Sequence, residues 1–260
     1  MKRIMNVFLI LAVFALILYF FQEKMTFFPM SLEREFPLSE VPGRVWQKIF
    51  FKTSDGVELS GVLYMKTEAD GKTPASCPWV LHSHGNGGHM LHRLLPMVAF
   101  RDFPVHFFLY DYRGYGASGG TPTVAGTILD GEAALRYLLT EKQVPPEQII
   151  LYGVSLGTGV SGTILRNMQM KCAGVILESG FQSLKVMAGT RFPVVGPLVL
   201  KGDYPTDQIL AAYEGPLLVM HSEDDEVIPF WNGQNLFAAC PSKRKTSLWM
   251  KKVGHNDAVW

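Results

Sequence analysis

The chain has 260 residues, 48% hydrophobic and 18% charged, with a formal net charge of +1. That length holds one large α/β domain or two small ones, and that composition excludes a disordered chain. A charge so near zero excludes long-range attraction to nucleic acid or an anionic surface, and the basic run Lys243-Arg244-Lys245 reads as a solvated turn before a strand.

Lys2 and Arg3 precede fifteen unbroken apolar residues, 7–21, and Ile4 and Met5 extend the run. A membrane-spanning helix needs about 20 residues, with a lower limit near 17. The run ends in Tyr19-Phe20-Phe21 and then Gln22-Glu23-Lys24, with no small-residue cleavage site. This predicts a retained single-pass membrane anchor over residues 1–24 rather than a removed signal peptide. Lys2 and Arg3 favour a cytoplasmic N-terminus, which makes the rest of the chain extracytoplasmic. Residues 25–45, with Pro29, Pro37, Pro42 and Gly43, read as a linker.

From Trp46 the texture changes, and 46–260 reads as one catalytic domain. "KIFFKT" and "VELSGVLYM" flank Asp55-Gly56 as a β-hairpin. "WVLHSH" is followed by a helical stretch near 89–102, "VHFFLYDY" by one near 123–141, and "IILYG" by one near 155–169. "GVILES", "PLLVMHS" and "SLWMKKV" complete the strands. The later strands are short, nearly continuous apolar runs, as parallel strands covered on both faces should be. The pattern predicts an α/β fold with one doubly wound sheet. Between Glu178 and Pro216 there is room for one short helix and an irregular cover, a minimal lid. Cys77, Cys172 and Cys240 are too widely spaced for a disulfide framework or a metal pair.

Gly153-Val154-Ser155-Leu156-Gly157 is a G-x-S-x-G between a buried strand and a helix. That context suits a nucleophile elbow, in which Ser155 projects from the carboxyl end of the sheet. The glycines at 153 and 157 leave room for the turn, and the Leu156 N–H can face a developing oxyanion. The second oxyanion donor is expected from the loop after the third strand, His84-Gly85-Asn86-Gly87-Gly88, with Asn86 as the candidate and His84 and Gly85 supporting it.

Two other chemistries are set aside. His82, His84, His89 and His92 are close, and strand alternation would put His82 and His84 on one face. A dinuclear H-x-H-x-D-H site would need an acid at Asn86 and a histidine at Gly87, so no metal is expected. Gly114-x-Gly116-x-x-Gly119 follows a strand, but not the first one. An acid about 20 residues on is also missing, since Leu139 stands there. It reads as a tight structural loop, and no cofactor is expected.

Ser155 needs a base, and His255, in the loop after the last strand, is the candidate. His221 and His106 lie in or at the end of strands. For the acid orienting His255, Asp225 is the first choice within Glu223-Asp224-Asp225-Glu226, whose other members read as a solvated turn. Glu178, at the end of the preceding strand, is its rival. The order Ser…Asp…His is that of α/β-hydrolases.

With "HGNGG", "DYRGYGASGG", "GVSLG", "HSEDDEVIPFW" and "GHND" in this order and spacing, the chain resembles α/β-hydrolases of the serine aminopeptidase-like superfamily. It is most similar to small membrane-anchored members of the bud-emergence type and related depalmitoylating hydrolases. The resemblance implies the α/β-hydrolase fold with an eight-stranded, mostly parallel sheet and helices on both faces. It implies Ser155 as nucleophile, Asp225 as acid and His255 as base. Ser222 stands where the family has a glycine, and the family's closing helix would follow beyond Trp260. The expected activity is cleavage of an ester or acyl-thioester through an acyl-enzyme, on a small-molecule or acylated substrate. A peptidase or amidase on the same residues is the alternative, and a non-catalytic tethered binding module the alternative of another class.

Overall fold

The computed structural model describes residues 2–35, 38, 40–93, 100–169 and 171–257. The N-terminal apolar run forms helix α1 (Lys2–Thr26), which ends two residues past the expected anchor, within the usual scatter of helix ends. Among the described residues it is the one helix long and apolar enough to cross a membrane, by length and composition.

The segment read as a linker is docked. Strand β1 (Phe28–Pro29) pairs in parallel with β5 (Gly87–Gly88). The Phe28 N–H donates to the Asn86 carbonyl at 2.9 Å and the Met30 N–H to that of Gly88 at 3.1 Å. A glycine-rich loop leaves its backbone open to such pairing, which composition alone does not announce.

The main sheet contains β2 (Arg44–Lys52), β3 (Glu58–Lys66), β4 (Trp79–Ser83), β6 (His106–Tyr110), β7 (Ile149–Val154), β8 (Gly174–Glu178), β9 (Leu217–Ser222) and β10 (Lys245–Met250). Their spatial order is β10-β9-β8-β7-β4-β6-β3-β2. The hairpin β2–β3 and its junction with β6 are antiparallel, and every other pairing is parallel. The eight-stranded, mostly parallel sheet is the one expected.

Helices α2 (Val124–Thr140), α3 (Leu156–Asn167), α4 (Leu184–Arg191), α5 (Val195–Val199), α6 (Thr206–Leu210) and α7 (Trp231–Ala239) follow the strands. Leu138, Ile164, Leu210 and Leu236, from α2, α3, α6 and α7, join Leu81, Phe108 and Leu151 of the strands in one core. On the other face Val80, Phe107 and Tyr152 pack with Met90. Met90–Arg93 is a single 3₁₀ turn where a helix over 89–102 was expected; residues 94–99 of that expectation lie outside the described residues.

Between β8 and β9 there are three short helices rather than one. Ser183 caps α4 by accepting the Val186 N–H at 3.1 Å. Pro193 and Pro205 stand at the junctions that divide α4 from α5 and precede α6, where a missing N–H breaks a longer helix. Helix α7 was not anticipated. Its glycine and two asparagines are poor helix formers, and burial of Leu236 holds it in place.

Candidate functional site

Ser155 sits between β7 and α3 at φ 53° and ψ −118°, a conformation that costs a non-glycine residue about 1–3 kcal/mol. The chain tolerates this because its crossing leaves no room for ordinary side chains. A Cβ on Gly157 would lie 2.0 Å from the Ser83 carbonyl oxygen, and one on Gly153 would lie 2.4 Å from that of Gly157. The Ser155 N–H is held by the Glu178 carbonyl at 2.8 Å. The result is a nearly buried hydroxyl aimed from the end of the sheet.

That hydroxyl meets His255. Its Oγ is 3.0 Å from His255 Nε2, and His255 Nδ1 is 2.8 Å from Asp225 Oδ2. Asp225 Oδ1 accepts the Val227 and Ile228 N–H groups at 2.9 and 2.7 Å. Burial opposes ionisation of Asp225, but hydrogen bonds from His221, His255 and Ile228 outweigh it and hold the carboxyl well below the usual range. An ionised carboxylate only accepts, so Nδ1 must carry the imidazole proton. Nε2 is then left as the acceptor for the serine proton.

Glu178 points elsewhere. Its carboxyl takes the Tyr152 hydroxyl, and burial pushes it towards the neutral form. His221, set aside as a base, lies 3.3 Å from the same Asp225 Oδ2 and donates to the Ile228 carbonyl at 2.9 Å. Its i,i+4 spacing from Asp225 was the available signal.

The rest of the acid run is exposed but not idle. The Asp224 carboxylate accepts the Lys252 N–H at 2.7 Å and that of Glu226 accepts the His255 N–H at 3.0 Å. Glu223 pairs with Lys251 at 3.6 Å, and the Ser222 hydroxyl donates to the Val253 carbonyl. The acids are solvated as expected, and Asp224 and Glu226 also grip the loop that carries His255. Sequence missed this because the partners are backbone N–H groups about 30 residues away.

Leu156 opens α3, so its N–H has no carbonyl within the helix to bond. Asn86 and Leu156 both line the groove that opens at Ser155. The Asn86 side chain donates to the Thr26 carbonyl at 3.0 Å, and its own carbonyl accepts the Tyr115 hydroxyl at 2.7 Å. Gly85 passes close beneath the serine, where a Cβ would sit 3.4 Å from Ser155 Cβ.

His82 and His84 are not on one face. The strand ends at Ser83, so alternation does not reach His84. The His82 ring packs on Tyr152 at 5.0 Å, and that of His84 on Tyr112 and Tyr115 at 4.3 and 5.2 Å. Gly116 serves the loop reading, because a Cβ there would strike the Asp111 carboxylate at 1.9 Å.

His84 Nε2 stands 3.6 Å from Asp111 Oδ1, yet this is no ion pair. Burial lowers His84 to about 3 and raises Asp111 to about 7. An unfolded Asp titrates near 3.9, so the folded state holds the extra proton between about pH 4 and 7. This group's contribution to stability therefore falls as pH rises through that window. Asp111→Asn keeps an acceptor for the Met90 N–H (2.7 Å in the parent) and cannot ionise. The stability of the variant relative to the parent should rise between pH 5 and 8, at up to about 1.4 kcal/mol per unit. Thermal unfolding of both in detergent at the two pH values measures this, and a pH-independent gap would contradict it.

Two spaces open at Ser155. One is an apolar groove of about 280 Å³ towards α1, α4 and α5. The other, of about 350 Å³, is lined by His92, Arg93, His255 and Asn256.

The sheet order, the strained serine turn and the histidine behind it define an α/β-hydrolase architecture. The comparisons agree. The α/β hydrolase fold family matches residues 78–199. Protein bem46 of Schizosaccharomyces pombe is 31% identical over 92% of this chain and 82% of its own length. Alpha/beta hydrolase domain-containing protein WAV2 of Arabidopsis thaliana is 28% identical over 86% and 77%. Among solved structures, the Pyrococcus furiosus esterase Pf2001 aligns with a TM-score of 0.66 at 16% identity, covering 90% and 91% of the two chains. The chain belongs to the α/β-hydrolase family, and bem46 is among its relatives.

Proposed function

We propose that the protein is a membrane-anchored serine hydrolase that cleaves a carboxylic ester or acyl-thioester through an acyl-enzyme. The observation that carries this is the continuous line of hydrogen bonds from Ser155 to His255 to Asp225 at the strand-to-helix turn. Ser155 Oγ attacks the carbonyl carbon while its proton passes to His255 Nε2. The tetrahedral oxyanion is held by the Leu156 and Asn86 N–H groups. On collapse the alcohol or thiol leaves, taking that proton. Water then gives a proton to His255, attacks the acyl carbonyl and releases the acid, and the proton returns to Ser155. Asp225 stays ionised throughout and steadies the imidazolium. The same fold carries esterase activity in the P. furiosus protein.

The test is labelling of the full-length protein with a fluorophosphonate, followed by turnover of p-nitrophenyl esters, acyl-thioesters and aminoacyl amides. A folded wild type that does not label sinks the reading, and turnover of the amides alone would make it a peptidase. The anchor is proposed to hold the catalytic domain outside the cytoplasm, on the charge of Lys2 and Arg3. A C-terminal reporter active only in the cytoplasm would contradict that side.

A further inference from the structure

The apolar groove at Ser155 is not built by the catalytic domain alone. Leu18 and Met25 of α1 line it opposite Leu184, Met187 and Phe192 of the lid. Leu18 is only 6% exposed, in a helix whose other apolar side chains are largely bare.

The two walls are clamped together. Gln22 donates to the Val199 carbonyl and accepts the Lys201 N–H, each at 2.9 Å. Lys201 also stands over the Tyr19 ring at 4.9 Å and near Glu23 at 4.0 Å. The Phe14 ring meets Phe192 edge-on at 5.7 Å. At the other end, the Asn86 amide is bonded to the Thr26 carbonyl, joining α1 to the proposed oxyanion loop.

These contacts set the depth of the lid. The apolar run of α1 ends at Phe21, before Gln22-Glu23-Lys24. At 1.5 Å per residue, Leu18 lies about 5 Å and Phe14 about 10 Å inside that boundary. A lid packed against Phe14 must therefore enter the hydrocarbon if α1 spans it. The exposed side chains of the lid suit this, with Val194 75% and Leu198 78% exposed. In water two such side chains would be left without cover; in lipid they are already in their preferred solvent.

Resting on the serine-hydrolase reading above, we infer that α1 is one wall of the acyl-binding groove as well as an anchor, and that the groove takes the long acyl chain of a bilayer-resident ester or thioester directly from the lipid phase. The chain slides between α1 and the lid with its carbonyl leading. The carbonyl reaches Ser155 at the inner end of the groove. The leaving group then falls on the polar side, beside Arg93, His92 and Asn256. A water-soluble ester with a short acyl group would use only the inner end.

The experiment compares p-nitrophenyl palmitate with p-nitrophenyl butyrate, using full-length protein reconstituted in phosphatidylcholine vesicles. Leu18→Trp fills the groove from the α1 side. It should lower the ratio of kcat/KM for palmitate to that for butyrate by roughly tenfold or more, because each methylene driven from an apolar site weakens binding severalfold. Met25→Trp, at a half-exposed position of the same wall, should do the same and serves if Leu18→Trp does not fold. Leu16→Trp, on the helix but outside the groove, should leave the ratio as it is. The inference is overturned if the ratio holds in both groove variants of a protein that labels at Ser155, or if Leu16→Trp lowers it equally. Failure of the wild type to label is a different result: it removes the hydrolase reading, and this inference with it.

Discussion

Ser155→Ala should abolish fluorophosphonate labelling and lower kcat for a p-nitrophenyl ester by on the order of 10⁴- to 10⁶-fold, leaving only what binding and the proposed oxyanion donors supply. The variant isolates the chemistry. Among the described residues, the side-chain bond it removes is the one to His255, and the Ser155 N–H remains on the Glu178 carbonyl. The strained φ belongs to the backbone and is the same for alanine as for serine, so the unfolding temperature should move little. The measurements are gel labelling, steady-state turnover and thermal unfolding of the two proteins side by side. Retention of labelling in the folded variant would move the nucleophile to another residue.

Asp225→Asn should lower kcat by about 10⁴-fold, while Glu178→Gln should change it by less than about tenfold. An amide at 225 still accepts the Val227 and Ile228 N–H groups through Oδ1, so the turn survives. Its NH₂ then faces His255 Nδ1, which must become an acceptor. The imidazole proton moves to Nε2, and the histidine can no longer take the proton of Ser155. Glu178 differs because burial already pushes it towards the neutral form. Glutamine there mimics that form, with its oxygen available to the Tyr152 hydroxyl. Kinetics of both variants on one ester decide the matter, and a large loss at Glu178→Gln with little at Asp225→Asn would reverse the assignment.

Much of the fold could be read from residue texture. Apolar runs such as "IILYG" and "PLLVMHS", alternating with longer helical stretches, are what parallel strands buried on both faces require. The elbow was equally legible, because glycines two residues either side of a serine leave out the Cβ atoms that would otherwise sit 2.0–2.4 Å from carbonyl oxygens at this turn. Short elements were less legible. Strands β1 and β5 are two residues each, helix α5 is five, and the first half of α7 holds a glycine and two asparagines; tertiary contacts, not local preference, hold them.

A serine at a strand-to-helix turn, with a histidine and an acid run in turns after later strands, was legible in the chain, since turn chemistry and strand texture are local properties. Which acid was a matter for the tertiary structure. Glu178 ends β8 and Asp225 lies in the turn after the neighbouring β9, and their choice depends on side-chain direction: Tyr152 takes one, while the Val227 and Ile228 N–H groups turn the other towards His255. The grip of Asp224 and Glu226 on the histidine loop, and the placing of Leu18 and Met25 beside Ser155, were likewise decided only in three dimensions. Contacts between residues about 30 or more than 100 positions apart leave no local pattern, because each partner taken alone looks like an ordinary surface acid or an ordinary membrane-helix side chain.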